Sequence, residues 1–589
     1  MPSTPLILYG TETGTARDSA EALVEALRIC DLNPRLSGFD EIEFSSLPDE
    51  DIIVAVVATS GQGQVPSNMR EFWRKMLARN LPANFFSKTK FAIAALGDSN
   101  YSEFNFAGKK FYRRMLGLGA TELTPIVLCD DQHQNGADDG IEKFKIAVID
   151  ELLASKLYPE MVAFDSEKQL PPKYVIRYVD EVTAEEKEEL AKAAEAASIG
   201  SDFFFLEVKH NERVTDEDHF QDTRLITFAN DGHAYNPGDV AQVQPVNLSE
   251  SVDLVLDSLK IDAQTLDREF YLEKSSPHGL LPPAHIIEYP TTLRKCFHNL
   301  FDIQGIPNRA FFKHLSRIAT NPMEKERLIE LADLNNLDDY LDYARQPRRS
   351  MAEVLRDFHA TAPIIPIPRL FEMFPTIRTR SFSIASSHAA SPQALQLLVA
   401  RVEFKRRYRL PARFGLCSNF LARLSIGTRV AIRFKEGTMD FNTPQGVTKV
   451  CIATGTGVAP FRSVIAEAYA NGDHMPIMLF FGCRGRALDY YFGDEWPNYS
   501  NAVVQPAFSR DSSKKVYVQD VLRENTALLG RFIGQNRVTF YVAGSSGQMP
   551  KDVRTALSDI VTNAGISSDG PGLVAKMELA RLLQFETWF

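Results

Sequence analysis

Four short apolar runs, Leu6 to Tyr9, Ile52 to Ala58, Phe91 to Leu96 and Thr124 to Leu128, alternate with helical patterns through about residue 154. Runs of this length with no polar alternation are strands covered on both faces. Interleaved with helices, they predict a parallel sheet. The next interval, 161–200, is polar, carries Pro171 and Pro172, and turns rich in Glu, Lys and Ala from Ala184 to Ala197; it reads as a partly helical linker. Alternating patterns at Asp202 to Val208, Arg224 to Phe228 and Val240 to Val243 predict a β-barrel. A helix-rich stretch from Ser249 to about His359 interrupts it, and strands resume at Thr379 to Ala385 and Gln396 to Phe404. A second strand–helix alternation from Lys449 to Phe589 predicts a second parallel sheet. The fold class is therefore multidomain α/β plus β-barrel, with expected domains at 1–160, 201–445 (helical insertion about 249–370) and 446–589.

With 589 residues the chain exceeds what one core can hold, and 44% apolar against 24% charged residues excludes bulk disorder. A net charge of -11 argues against nucleic acid as the main partner, which needs a cationic surface. The six cysteines are dispersed with no C-x-x-C pair, so no metal site is expected and a reducing compartment is the natural reading. No apolar run is long enough to span a bilayer, and strand character begins at Leu6 with no room for a signal peptide. A cytoplasmic monomer without a membrane anchor is expected, with association with mitochondria in addition.

Three loops each follow a buried strand of the first sheet. Gly10-Thr11-Glu12-Thr13-Gly14-Thr15 opens a helix and combines hydroxyls with free N–H groups, which suits a phosphate. It has no Lys, which disfavours a nucleoside-triphosphate loop, and taken alone it also fits an ordinary helix cap. Thr59-Ser60-Gly61-Gln62-Gly63 and Leu96-Gly97-Asp98-Ser99-Asn100-Tyr101 follow in order, with Phe104-Asn105 just beyond. Ligands of doubly wound folds sit at this edge. The set resembles the flavodoxin-like FMN domain. That resemblance implies FMN phosphate at Thr11 to Thr15, ring edges at Gly61 to Gly63, and Tyr101 stacked on the flavin. Ser60 stands where many relatives carry a second aromatic. Asp131, with Asp130, either disfavours an anionic reduced flavin or is a solvated acidic turn.

Arg380-Ser381-Phe382-Ser383 in a strand, and Gly415-Leu416-Cys417-Ser418 opening a helix, resemble the FAD motifs of ferredoxin-reductase-like barrels. Either segment alone is an ordinary strand or cap. The family implies pyrophosphate at Arg380 and the glycine-led turn, with Ser383 facing the reactive nitrogen of FAD. Thr291 to Ala332 resembles the helical connecting region inserted in diflavin reductases.

Toward the carboxyl end, one strand runs into Gly455-Thr456-Gly457 and another into Gly482-Cys483-Arg484. The pair resembles the nicotinamide domain of the same reductases. Ser509-Arg510 and Lys515, Tyr517 and Gln519 fall where the family binds the 2'-phosphate of NADPH, although a basic surface turn is the alternative. Glu586-Thr587-Trp588 places an aromatic where relatives cover FAD; core packing is the other reading. Glu586 replaces the usual Asp and Ala543 a usual Cys, so of the family's hydride-transfer group only Ser383 is retained.

The chain is thus identified as a member of the NADPH-dependent diflavin reductases. The resemblance implies FMN, FAD and NADPH as cofactors, with electrons passing from NADPH to FAD to FMN and outward, and catalytic roles for Ser383, Glu586 and Trp588. Without a membrane anchor, haem domain or long central linker, it most resembles the soluble reductase of cytosolic iron–sulfur protein assembly, whose acceptor is an anamorsin-type iron–sulfur protein. A haem or cobalamin protein acceptor, and a non-enzymatic interaction scaffold, are the rival readings.

Overall fold

The computed structural model describes residues 3–61, 63–101, 103–198, 201–275, 281–404 and 412–588. Gln62, one of the candidate flavin contacts, and Phe589 lie outside them. The chain divides into two compact units, one of residues 1–199 with 247–378 and the other of 200–246 with 379–589.

In the first unit, β1 (Leu6–Gly10), β2 (Arg35–Gly38), β3 (Ile52–Ala58) and β4 (Lys90–Gly97) form a parallel sheet in the order β2-β1-β3-β4. The apolar runs of β1, β3 and β4 are buried throughout because helices cover both faces. Those helices are α1 (Thr15–Ile29), α2 (Arg70–Met76), α3 (Phe106–Gly117) and α4 (Asp138–Ser155). Helix α1 buries Ala20, Leu23, Val24 and Leu27 on one face and stops before Asp31, whose φ of 62° is left-handed. The run expected at Thr124 to Leu128 is instead split. Thr121–Glu122 (β5) pairs with the start of β4 and Val127–Asp130 (β6) with its end. Pro125 lies between them, and a residue with no N–H cannot serve the ladder.

The interval 161–200 is not wholly linker-like. Tyr174–Tyr178 (β7) pairs antiparallel with β11 (Phe270–Lys274), inside the stretch expected to be helical. The expected helix is present as α5 (Ala184–Ala196), started by a Thr183/Glu186 capping box. The segment is also tied down elsewhere: Lys173 N donates to Glu372 at 2.7 Å, and Arg369 donates to Leu170 O at 2.9 Å.

The rest of this unit is helical, with α6 (Ser249–Leu259), α7 (Ala263–Asp267), α8 (Leu293–Asn299), α9 (Arg309–Ile318), α10 (Pro322–Ala332), α11 (Leu337–Tyr340), α12 (Met351–Asp357) and α13 (Ile367–Met373). Asn308 and Asn321 cap α9 and α10 through their side-chain oxygens. Phe297, Phe301, Phe311, Phe371 and Phe374 pack together, mostly edge to face, at the centre of its core.

In the second unit, β8 (Phe204–Arg213), β9 (Thr223–Ala229), β10 (Val240–Val243), β12 (Arg380–Ser383), β13 (Ala394–Ala400) and β16 (Arg429–Lys435) follow the order β12-β10-β16-β8-β9-β13. A bridge between Ile384 and Leu397 closes the ends into a barrel. Leu206, Ile226, Phe228, Val243, Leu397 and Ile432 are among the side chains filling it. A hairpin of β14 (Glu403–Phe404) and β15 (Arg413–Phe414) precedes α14 (Leu416–Ala422).

The second parallel sheet has the order β19-β18-β17-β20-β21, from β17 (Thr448–Thr454), β18 (Ile477–Cys483), β19 (Ala502–Phe508), β20 (Val538–Ser545) and β21 (Leu583–Trp588). It is flanked by α15 (Ala459–Ala470), α16 (Val518–Glu524), α17 (Thr526–Gly534), α18 (Met549–Asn563) and α19 (Gly570–Leu579). The strand order reverses between β17 and β20, which opens a crevice at their carboxyl ends.

Candidate functional site

In the first unit the three loops leave the carboxyl ends of β1, β3 and β4, adjacent strands of one sheet. The first folds on itself: Gly14 N donates to Thr11 Oγ1 at 2.9 Å, and Gly14 takes a φ of 104° just before α1. Asn68 ties that loop to the second by accepting from Thr11 N at 2.8 Å and donating to Tyr9 O at 3.1 Å. Glu12 accepts from Ser67 N at 2.8 Å.

In the second loop, Ser60 and Gln64 exchange both backbone hydrogen bonds, closing a tight turn over Gly61 and Gly63, both at positive φ. A Cβ on Gly63 would stand 2.7 Å from that of Glu103, so only glycine lets the two loops approach this closely. Thr59 Oγ1 accepts from Ala107 N at 3.3 Å, at the start of α3.

The third loop is braced by the next one. Asp98 accepts from Gln132, and Asp130 accepts from Ser99 N at 2.9 Å and Gln132 N at 3.0 Å. Asn105 is fully buried with left-handed φ and donates to Cys129 O at 3.2 Å; Leu96 is buried as well. These two side chains therefore shape the loop from beneath. Tyr101 and Phe104 are part-exposed, while Asp131 N donates to Gly97 O at 2.9 Å.

In the second unit, Arg380 and Ser381 are exposed on β12, and Phe382 packs partly against the barrel core. Ser381 accepts from Gln242, which in turn accepts from Arg433. Burial pushes the Cys417 thiol up to about 12, opposed by the positive charge of Arg380, so the two expected FAD segments lie within electrostatic reach. The side chains of the second segment turn inward: Ser418 Oγ accepts from Val402 N at 3.0 Å, and Cys417 is buried.

At the crevice of the second sheet, glycine is demanded twice. A Cβ on Gly457 would meet Ala543 O at 2.2 Å, and one on Gly544 would meet Thr454 Oγ1 at the same distance. Above Gly455, beside Thr456, an added Cβ would have no neighbour within 4 Å. Ser546 Oγ is buried beside the crevice with no hydrogen-bond partner among the described residues. Arg484 stacks 4.2 Å from the Phe220 ring, and its N–H donates to Asp489 at 2.8 Å. Ser509 is buried and donates to Cys483 O, whereas Arg510, Lys515 and Tyr517 are exposed. Gln519 donates to Asp552 at 3.2 Å.

The barrel and the last strand meet at one carboxyl group. Ser383 Oγ donates to Glu586 Oε1 at 2.9 Å, and Thr438 Oγ1 donates to Glu586 Oε2 at 3.2 Å. Burial raises the Glu586 carboxyl above the ordinary range, and these hydrogen bonds offset only part of that rise. Ala543 sits directly across from Glu586 in the β20–β21 ladder and is fully buried. Trp588 is partly buried at the end of β21, its carbonyl accepting from Ser546 N at 2.9 Å.

Comparison with known proteins follows the same order along the chain. Family models match for flavodoxin over residues 7–144, for an FAD binding domain over 200–420, and for an oxidoreductase NAD-binding domain over 451–555. The NADPH-dependent diflavin oxidoreductase 1 of Xenopus laevis is 38% identical, with 99% of each chain covered. Those of Danio rerio and Bos taurus are 36% and 35% identical, over 99% and 100% of both chains. The chain belongs to the NADPH-dependent diflavin oxidoreductases.

As a diflavin oxidoreductase it carries an FMN-type flavodoxin domain, an FAD-binding domain and an NADP-type nucleotide-binding domain. Among the described residues, no helix is long and apolar enough to cross a membrane.

Several residues that organise this oxidoreductase escaped the sequence reading. Asn68 and Thr438 act through contacts far away in sequence, and neither stands in a glycine-rich loop. Arg462, partly buried on α15, pairs with Glu495 at 2.7 Å and donates to Ala385 O and Gln396 Oε1, so it braces the barrel strands against the nucleotide sheet. The only sequence signal for it was a charge within an apolar helix face.

Proposed function

We propose that this diflavin oxidoreductase moves reducing equivalents from NADPH, by way of FAD and FMN, to an anamorsin-type iron–sulfur protein in cytosolic iron–sulfur cluster assembly. The residues present suit the three groups. Hydroxyls of Thr11, Thr13 and Thr15 and the positive end of α1 form a donor set for the FMN phosphate, with Gly61, Gly63 and Tyr101 around the ring. The exposed Arg380 and the backbone at Gly415 suit the FAD pyrophosphate. The open face over Gly455 and the unpartnered Ser546 hydroxyl suit NADPH, with Arg510 and Lys515 for its 2'-phosphate.

The bound flavins supply the one- and two-electron chemistry that side chains lack. The chain's own part is to orient and to handle protons. Glu586 fixes the direction of the Ser383 hydroxyl, and burial raises its proton affinity above that of an ordinary carboxyl. Trp588 excludes water from the flavin face and moves aside for the nicotinamide.

The acceptor is read from the resemblance to the soluble reductases of iron–sulfur protein assembly, and charge supports a protein partner. Residues 1–160 hold about 23 acids against about 16 Lys plus Arg, a surplus that steers a basic docking face. Six free, buried cysteines accord with a reducing compartment. Stopped-flow mixing of the NADPH-reduced enzyme with iron–sulfur, haem and cobalamin acceptor proteins tests the assignment. Rapid, salt-sensitive reduction of the iron–sulfur protein is expected; reduction of a haem protein alone would overturn it.

A further inference from the structure

The loop read as the FMN phosphate site has no cation of its own. From Gly10 to Thr15 the only charged side chain is Glu12, and in the first turn of α1 Asp18 adds a second carboxylate while the neighbouring Arg17 is paired with Glu21 at 2.9 Å. A phosphate monoester carrying roughly −1.5 to −2 charge would meet two acids, offset within the loop only by the positive helix end, worth about half a charge.

A cation reaches the loop from far along the chain. Arg378, 363 residues from Thr15, donates from Nη1 to Thr15 Oγ1 at 2.5 Å and pairs with the Asp18 carboxylate. Its Nε lies 3.8 Å from where a Cβ on Gly14 would stand, so the guanidinium covers the left-handed turn itself. The backbone just before it is pinned. Thr376 bridges to Phe301, Asp302 N donates to Pro375 O at 2.8 Å, and Ile377 N donates to Leu300 O at 2.7 Å. The helical region therefore holds Arg378 in place, rather than leaving it on a loose surface chain.

The same region grips the flavodoxin portion at a second point. Arg309 donates to Asn135 Oδ1 at 2.9 Å, both side chains buried, and Arg345 donates to Gln134 O at 3.0 Å. The seating that delivers Arg378 is thus specified by more than one contact.

We propose that Arg378 is a ligand of the FMN phosphate, supplied to the loop by the helical region. The proposal rests on the reading of Thr11 to Thr15 as the phosphate loop. A guanidinium presents a planar fork of donors matched to phosphate oxygens, and it exchanges a carboxylate partner for a phosphate without moving its anchor. Thr15 and Asp18 hold it over the loop, and the dianion gains the compensating charge that the loop's own residues lack.

The test uses the full-length chain stripped of FMN and titrated separately with FMN and riboflavin, following the quenching of flavin fluorescence. Riboflavin has the same ring and no phosphate. R378Q is expected to weaken FMN binding about tenfold, roughly 1.4 kcal/mol, and to leave riboflavin binding unchanged. R378K should recover part of the loss, and the difference should shrink at high salt. T13A tests the loop reading itself by the same discrimination. If T13A selectively weakens FMN while R378Q shifts both flavins equally or neither, Arg378 is structural and the proposal fails while the loop reading stands. If neither variant changes the preference for FMN over riboflavin, both fail.

Discussion

Ser383 and Glu586, 203 residues apart, share a hydrogen bond of 2.9 Å that joins barrel strand β12 to the last strand of the nucleotide sheet. The pairing gives the hydroxyl one direction and leaves the carboxyl as its only fixed acceptor in the described residues. S383A should slow FAD reduction by NADPH about tenfold or more, a barrier increase of roughly 1.4 kcal/mol or above. FAD content should be retained. Single-turnover stopped flow at the flavin absorbance band reads the rate.

Glu586 also ties stability to pH. Burial raises its carboxyl above the ordinary value of 4.5, so the folded chain binds this proton more tightly than the unfolded chain does. The stabilisation from that proton is complete below the ordinary value and is lost as pH rises through the raised one. E586Q has no such ionisation. Its melting temperature should exceed that of the parent at pH 8, and the gap should close as pH falls below about 4.5. Scanning calorimetry across pH 4 to 8 checks the sign; an advantage that grew on acidification would contradict it.

Ala543 faces Glu586 across the ladder and is fully buried beneath Gly457. A543C adds one heavy atom to a filled site, which costs about 1–3 kcal/mol. It should lower the melting temperature by a few degrees, yet raise the rate of FAD reduction by restoring a thiol beside the Ser383–Glu586 pair. An unchanged rate would show that this position does not set the barrier.

Arg462 links barrel and nucleotide sheet, its partly buried side chain serving Glu495, Ala385 O and Gln396. R462M leaves those acceptors without their donor and should cost about 1–3 kcal/mol. E495Q, at a partly exposed carboxylate, should cost far less. Urea titrations of the two variants give the comparison.

Arg510 N donates to Arg484 O, which places two cations side by side after β18 and β19, with Lys515 exposed nearby. R510A and K515A should each reduce kcat/KM for NADPH by about 10- to 100-fold and leave NADH nearly unaffected, since only NADPH carries the 2'-phosphate. Steady-state assays with both nucleotides decide it.

The elements most directly legible in the sequence were β1, β3, β4, β17 and β18, whose central apolar runs are buried on both faces and leave no alternating pattern to misread. The strand after β4 was displaced because Pro125 breaks its ladder. β7 and β11 escaped because each is a short strand whose partner lies about a hundred residues away, one inside an apparent linker and one inside a helical stretch. The direction of side chains was equally hidden: Cys417, Ser418 and Asn105 stand within recognisable motifs, yet all three point into the protein.

The sequence by itself determined the two parallel sheets, the barrel between them and the glycine- and threonine-rich loops at the strand ends. Each of these depends on local periodicity or on the backbone freedom of single residues. Only the tertiary structure decided that Ser383 meets Glu586, that Thr438 shares the same carboxyl, and that Arg378 covers the loop at Thr15. Those pairings join residues more than a hundred positions apart, and no local preference encodes them; they follow from how strands and helices stack to bury apolar faces.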